Sequence, residues 1–285
     1  MEKAREFFRR NPMLVALIGF LLFYATSFIP SPATDEWKKP VTEILRFALA
    51  FGFIALFIGL DRIPLSTKGM KTGFRIFGYY LILIYAATIA SVAGKFIKGT
   101  SQLTVSGFVA MLVLAVLVGP FEELTCRFLV FGGLSKAWGK TKSGVMWAAV
   151  VSSFLFGIAH VLTPILTGTA VTASNALDCV MKTLSAGVIG FVFAAIYVET
   201  GNIWVPALLH SLFDFIGFIA SASSGNTGEL GNYVNISGNI SATLSPEVMS
   251  IATAVLQAVV ILVAIPMIVK AVRILKNVET PFSVL

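Results

Sequence analysis

The sequence contains few charged residues and long stretches that have none. Only 12% of its 285 residues are Asp, Glu, Lys or Arg, whereas 57% are hydrophobic, and the mean hydropathy is +0.89. A soluble domain of this length would need far more charge to cover its surface. Apolar runs of about 20 residues, the length of a membrane-crossing helix, recur along the whole chain. The composition therefore predicts a polytopic membrane protein.

Cysteine and histidine are scarce as well, with two residues of each. Cys126 and Cys179 make neither a zinc motif nor a redox motif, and the HExxH sequence of many zinc proteases is absent. Both histidines, His160 and His210, lie within apolar runs. Ionisable side chains are rare there and usually face the interior of a helix bundle or a wet cavity. These two positions are therefore candidate site residues.

The apolar runs do not alternate as the strands of a closed barrel would, so the predicted fold is all-α. We expect about eight transmembrane helices, the fourth kinked or interrupted near Pro120. The predicted spans are Met13–Ile29, Val41–Leu60, Phe74–Ile97, Leu103–Leu134, Ser143–Val161, Val180–Val198, Ile203–Ala220 and Val248–Val269.

This count divides the chain into four regions. Residues 1–103 hold the first three helices, and residues 104–220 hold helices four to seven, which form the predicted catalytic core. Residues 221–247 form a polar loop, and residues 248–285 form the last helix and a tail.

The basic residues predict the orientation of the bundle. Fourteen lie on one side of the predicted spans and six on the other, with Arg127 inside a span. The positive-inside rule then places both termini in the cytoplasm and the polar loop outside. The net charge of +7 is explained by this asymmetry and by contact with membrane lipids, so nucleic acid is not an expected partner.

The segment FEELTCR ends an apolar run with two carboxylates and a guanidinium. Glu123 and Arg127 are four residues apart on one helix and can form an ion pair. Glu122 is turned by about 100° from Glu123, so Arg127 neutralises it less easily. We therefore assign Glu123 and Arg127 to structural support and Glu122 to chemistry.

Two more pairs have the same spacing of four residues. Phe156 can support the ring of His160, and Asp214 can hold one nitrogen of His210 and thereby fix the tautomer. In an antiparallel hairpin that turns at position 141, Glu122 and His160 are each nineteen residues from the turn. The hairpin therefore predicts that these two residues meet at one depth and share a water molecule.

These three motifs together resemble those of the CPBP family of intramembrane endopeptidases, the CAAX-protease and bacteriocin-processing group also called Abi proteins. The motifs are Glu122-Glu123-x-x-x-Arg127, Phe156-x-x-x-His160 and His210-x-x-x-Asp214. The resemblance covers roughly residues 118 to 215.

The resemblance implies a glutamate-type peptidase with no metal or other cofactor. Glu122 and His160 would activate the attacking water, and His210 with Asp214 would bind the oxyanion. An ionised Asp214 would repel an oxyanion, so we expect it to orient His210 or to remain protonated. The substrate would be a CAAX-type, prenylated protein C-terminus or a small membrane-associated peptide. The membrane would be the cell membrane, or the endoplasmic reticulum in a eukaryote.

Two other functions fit the same residues. A non-enzymatic membrane scaffold or bacteriocin-immunity protein could use the polar cluster for helix packing alone. A zinc-dependent intramembrane protease could use His160, His210 and Glu122 as ligands, since two histidines and a carboxylate form a known catalytic zinc set.

Overall fold

A computed structural model describes residues 2–33, 35–166, 173–225, 246–283 and 285. All regular secondary structure in these residues is helical, which confirms the predicted all-α class. The helices are α1 (Glu2–Arg10), α2 (Pro12–Ala25), α3 (Lys38–Phe53), α4 (Met70–Ile97), α5 (Val105–Glu122), α6 (Gly132–Trp138), α7 (Lys142–Ala159), α8 (Leu162–Leu166), α9 (Ala173–Thr200), α10 (Trp204–Ala222) and α11 (Pro246–Asn277).

Within the described part of the chain, seven helices are long and apolar enough to cross a membrane. They agree with the second to eighth predicted spans, and the protein is an integral membrane protein. The predicted first span, Met13–Ile29, corresponds to α2 and the 3₁₀ turn Thr26–Phe28 that follows it, and this helix is not among the seven. It counts as an eighth crossing only together with α1, from which it is bent by 98°. Pro12 at the start of α2 explains the break, because the residue before a proline disfavours helical geometry.

The fourth span runs without a gap from Val105 to Trp138. It is not broken at Pro120. Instead the backbone changes from α-helix to π-helix over Glu123–Phe131, immediately after Glu122, and returns to α-helix at Gly132. Short π segments inside α-helices often occur at functional sites. The change of helix type thus falls between the two adjacent glutamates.

The fourth and seventh spans form the centre of the bundle. Half of the apolar window of Val105–Trp138 and 67% of that of Trp204–Ala222 are buried, compared with 22% for each of three outer spans. Helices α5 and α10 approach closely at Gly119. A Cβ atom there would lie 2.3 Å from Ser211 Oγ and 2.6 Å from the Ala207 carbonyl oxygen, so only glycine fits. Small residues commonly permit such contacts between membrane helices.

Several connecting segments meet at one end of the bundle. Arg9, Arg62, Lys136 and Leu285 line a common pocket there, and the Phe282 N–H donates a hydrogen bond to the Gly139 carbonyl at 2.9 Å. The two ends of the chain therefore lie on the same side of the bundle. Their cytoplasmic orientation stays a prediction, and residues 226–245 of the predicted polar loop lie outside the described residues.

Candidate active site

Three carboxylates surround the imidazole of His210 in the centre of the bundle. His210 Nδ1 lies 2.8 Å from Glu123 Oε1. The other nitrogen, Nε2, lies 3.4 Å from Glu122 Oε2 and 3.5 Å from Asp214 Oδ2. All four side chains are buried. The end of α5, the start of the π segment and the middle of α10 together build this cluster.

The adjacent glutamates lie on opposite sides of one ring. Their directions differ by about 100° around the helix axis, and this places one carboxylate near each nitrogen of His210. Asp214 approaches Nε2 at a longer distance than Glu123 approaches Nδ1. Glu123 therefore makes the closer contact with the ring, and the expectation that Asp214 orients His210 stays a prediction. Glu123 is more than a partner of Arg127.

Arg127 is 2% exposed, and its Nη1 atom lies 3.0 Å from Glu123 Oε1. The ion pair expected from the spacing of four residues is thus present. The guanidinium carbon also lies 4.1 Å from the centre of the Phe156 ring, a distance typical of a cation–π contact. Arg127 is a charge inside a membrane helix and is stabilised by one carboxylate and one aromatic face.

Phe156 separates Arg127 from the two histidines. Its ring centre lies 4.6 Å from that of His160 and 6.0 Å from that of His210. The predicted support of His160 by Phe156 is seen as an edge contact between the rings. Phe156 is itself 3% exposed, so its position in the core fixes the distance between the motifs.

His160 lies at the end of α7, where the helical hydrogen bonds stop. Its Nδ1 atom is 2.8 Å from the carbonyl oxygen of Phe156. Because a carbonyl can only accept a hydrogen bond, Nδ1 carries the proton. In the neutral ring Nε2 is then the acceptor nitrogen. The helix's own backbone thus fixes the tautomer of His160.

A narrow cavity joins the second and third motifs. Its empty volume is about 480 Å³ including the mouth, and about 50 Å³ admits the centre of a water-sized sphere. A buried water needs roughly 10–15 Å³ by that measure and two to four polar neighbours. The cavity therefore has space for water. The lining residues are Tyr80, Phe156, His160, Lys182, Ser185, Ala186, Ile189, His210, Phe213, Asp214 and Val260.

Glu122 contacts the cavity-lining residues through His210. Its Oε2 atom approaches the same nitrogen as the cavity-lining Asp214, and among the described residues this oxygen has no hydrogen-bond partner. The direct approach of Glu122 and His160 stays a prediction. Glu122 contacts His210, and His160 contacts Phe156, whose ring centre lies 6.0 Å from that of His210.

Two features of the site were missed by the sequence reasoning. Lys182 lines the cavity, and Glu43 forms a buried ion pair with Arg46 on α3. An acid and a base three residues apart inside an apolar run were a visible signal for the second feature. Lys182 gave no such signal, because it is a single basic residue near the end of a predicted span.

The described residues contain no group of three His, Cys, Asp or Glu side chains with the geometry of a metal site. Zinc binding by Glu122, His160 and His210 stays a prediction, and metal analysis of the purified protein tests it.

The comparisons with known proteins agree with the geometry of the cluster. The family model "Type II CAAX prenyl endopeptidase Rce1-like" matches residues 104–216, a range that contains all three motifs. Residues 104–216 are thus similar to the CAAX-protease family of membrane peptidases, which supports the resemblance seen in the sequence. YdiL of Bacillus subtilis, a protein classed provisionally as a membrane peptidase, is 26% identical over 220 residues, covering 70% of this chain and 80% of YdiL. No solved structure matches the chain with significance.

The match to the CAAX-protease family ends close to the site. Residue 216 lies two positions after Asp214, and residue 104 is the residue that caps the start of α5. Helices α1 to α4 lie outside the family model, although α2 and α3 pack against its first helix. Contacts from these helices to the site thus lie outside the range that the family model matches.

Proposed function

We propose that this CAAX-type membrane protein is a glutamate-type endopeptidase that hydrolyses a peptide bond within the membrane. Glu122 and His160 activate the attacking water, and His210 binds the oxyanion. The observation that carries the proposal is the cavity lined by His160, His210 and Asp214, which has space for water in the bundle interior. Hydrolysis needs a positioned water, a base and an oxyanion donor; in this proposal they are a water in the cavity, Glu122 and His210.

In the first step, Glu122 removes a proton from water while His160 Nε2 accepts a hydrogen bond from the same molecule. The hydroxide adds to the carbonyl carbon of the substrate, and its C=O becomes a tetrahedral oxyanion. His160 is suited to this role because the Phe156 carbonyl already holds the proton on Nδ1. A base positioned in this way contributes typically 10²–10⁴-fold to the rate.

In the second step, His210 donates its Nε2 proton as a hydrogen bond to the oxyanion. Glu123 accepts the bond from Nδ1 and so stabilises the doubly protonated ring. The C–N bond then breaks, and the proton held by Glu122 passes to the leaving nitrogen. The products are a carboxylic acid and an amine, which balances the addition of one water.

Asp214 has a different role in this scheme. It lies beside Nε2 of His210 and on the cavity wall. An ionised Asp214 would compete with the oxyanion for this donor, so we propose that Asp214 is protonated while the oxyanion forms. A protonated carboxyl can itself donate a hydrogen bond.

The proposed substrate is a prenylated, CAAX-type protein C-terminus or a small membrane-associated peptide. The matching family is described as a CAAX prenyl endopeptidase, which supports the first class. Membrane lipids are the proposed environment, with both termini of the chain in the cytoplasm.

The test uses the purified protein in lipid bilayers and two peptides. One carries a farnesylated cysteine followed by three residues, and the other is an unmodified amphipathic peptide; mass spectrometry identifies the products. We expect the wild type to cleave one of them and Glu122→Gln to cleave neither. Asp61→Asn, which changes an exposed acid, serves as the control and should retain activity.

Two results would contradict the proposal. Cleavage by folded Glu122→Gln at the wild-type rate would exclude Glu122 as the base, and cleavage of neither peptide by the wild type would favour the scaffold function. Activity should survive prolonged treatment with a chelator, because the proposed mechanism uses no metal. Inactivation that added zinc reverses would replace it by the zinc mechanism.

A further inference from the structure

Helix α3 contains a second buried ion pair beside the candidate site. Glu43 is 3% exposed, and its Oε2 atom lies 2.7 Å from Arg46 Nη1. Both residues lie within the membrane span Lys38–Ile58, where charges are costly and usually functional. The pair lies outside residues 104–216, so the family match assigns it no role.

The guanidinium of Arg46 is fixed by three helices. Nε donates a hydrogen bond to Thr26 Oγ1, and Nη2 donates one to the Phe23 carbonyl oxygen, both at 3.2 Å. The guanidinium carbon lies 4.2 Å from the centre of the Phe121 ring. Phe121 directly precedes Glu122, so α2, α3 and α5 together hold this charge next to the proposed base.

Glu122 thus has charged side chains of two other helices near it. His210 Nε2 on α10 lies 3.4 Å from its Oε2 atom, and Arg46 on α3, bound to Glu43, packs against Phe121, the residue before Glu122.

We propose that Arg46 is a positioning residue that keeps Glu122 ionised and ready to accept a proton. The inference rests on the proposed function, because it concerns the base of that reaction. A carboxylate inside a membrane protein favours its neutral form, which cannot act as a base. A fixed cation nearby offsets this cost, and the contacts of Arg46 prevent it from turning towards lipid.

Other charges near Glu122 act together with Arg46. His210 Nε2 lies 3.4 Å from Glu122 Oε2, and Arg127 is bound to Glu123. The charged and titratable groups around Glu122 are Glu43 and Arg46 on α3, Glu123 and Arg127 on its own span, Lys182 on α9, and His210 and Asp214 on α10.

A purely structural role for Arg46 makes a different prediction. If the residue only ties α2 to α3 and α5, its loss lowers stability and leaves the pH dependence of the reaction unchanged. If it stabilises ionised Glu122, its loss makes Glu122 accept a proton at higher pH. The acid limb of the pH–rate profile then moves to higher pH. The pH profile therefore distinguishes the two roles.

The experiment compares Arg46→Gln with Arg46→Lys. Glutamine is neutral and keeps N–H donors for the Phe23 carbonyl, whereas lysine keeps the charge; Arg46→Met is the second neutral variant if glutamine does not fold. We expect the acid limb of kcat/KM to move up by on the order of one pH unit in the neutral variants. At a pH one unit below the midpoint of the wild-type acid limb, the activity of the neutral variants should therefore be about tenfold lower than that of the wild type. Arg46→Lys and the exposed control Arg75→Met should keep the wild-type limb.

A second measurement does not depend on activity. The infrared carboxyl band of Glu122, identified by its loss in Glu122→Gln, should titrate at higher pH in the neutral Arg46 variants. An unchanged band midpoint in a folded neutral variant would overturn the proposal. If the wild type cleaves no peptide, the proposed function fails while the infrared titration still decides whether Arg46 stabilises ionised Glu122.

Discussion

Replacing Glu123 by Gln should lower both stability and activity, for two separable reasons. The buried Oε1 atom of Glu123 contacts Arg127 at 3.0 Å and His210 at 2.8 Å. Removing one partner of a buried ion pair costs about 3–5 kcal/mol. We expect a cost of about 3 kcal/mol, because the amide oxygen still accepts hydrogen bonds. For a chain of this size that corresponds to a fall of roughly 6–12 °C in Tm.

The loss of activity has its own magnitude. A hydrogen bond to an ionised group is about twice as strong as a neutral one, so His210 loses about 1 kcal/mol of support. This corresponds to a fall of about five- to tenfold in kcat/KM at saturating lipid. Thermal unfolding in detergent and peptide cleavage measured on the same preparation separate the two effects.

A double variant provides the decisive comparison. Glu123→Gln with Arg127→Met removes both charges and places an apolar side chain against Phe156, so Tm should recover most of the loss. Activity should not recover, because His210 Nδ1 still lacks a carboxylate. Recovery of both would refute the reasoning, since Glu123 would then act only through the fold. An unchanged Tm in the single variant would show that the pair is not stabilising.

The remaining predictions concern the other site residues, helix packing and topology. His160→Ala should abolish cleavage, whereas His210→Ala should leave measurable activity, because loss of one oxyanion donor costs about 10²–10³ in rate; equal residual rates would contradict the assigned roles. Gly119→Ala should lower Tm by several degrees, since overpacking costs about 1–3 kcal/mol, while Gly52→Ala, which has open space around it, should not. Reporter fusions should place both termini in the cytoplasm and residues 226–245 outside; an external C-terminus would contradict the predicted orientation.

The membrane helices could be predicted from the sequence because span length and composition are set by the bilayer alone. Seven spans follow from this single rule. The 98° bend between α1 and α2 and the π segment at Glu123–Phe131 could not. Pro12 marks the position of the bend, but the angle depends on how neighbouring helices pack. The π segment depends on packing too, because a change of hydrogen-bond register in a helix does not alter its hydropathy.

The site was predictable as far as contacts within one helix determine it. Residues four apart meet whatever the rest of the fold does, so the pair of Glu123 and Arg127 follows from spacing. The contact between Glu123 and His210 joins residues 87 positions apart. It depends on the rotation of α10 about its own axis and on the close approach at Gly119. Neither leaves a periodic pattern in the sequence.

Contacts between helices also give the two adjacent carboxylates different surroundings. Glu123 is 0% exposed, and its Oε1 atom serves Arg127 and His210 together. Glu122 is 5% exposed, and its Oε2 atom has only the longer contact with His210 among the described residues. One step along the helix thus separates a carboxylate whose Oε1 atom contacts two charged groups from one whose Oε2 atom makes a single, longer contact, although Oε2 of Glu123 also has no hydrogen-bond partner among the described residues. In the proposed mechanism the two neighbouring acids have separate roles, because one carboxylate would not both anchor the imidazole and remove a proton from water.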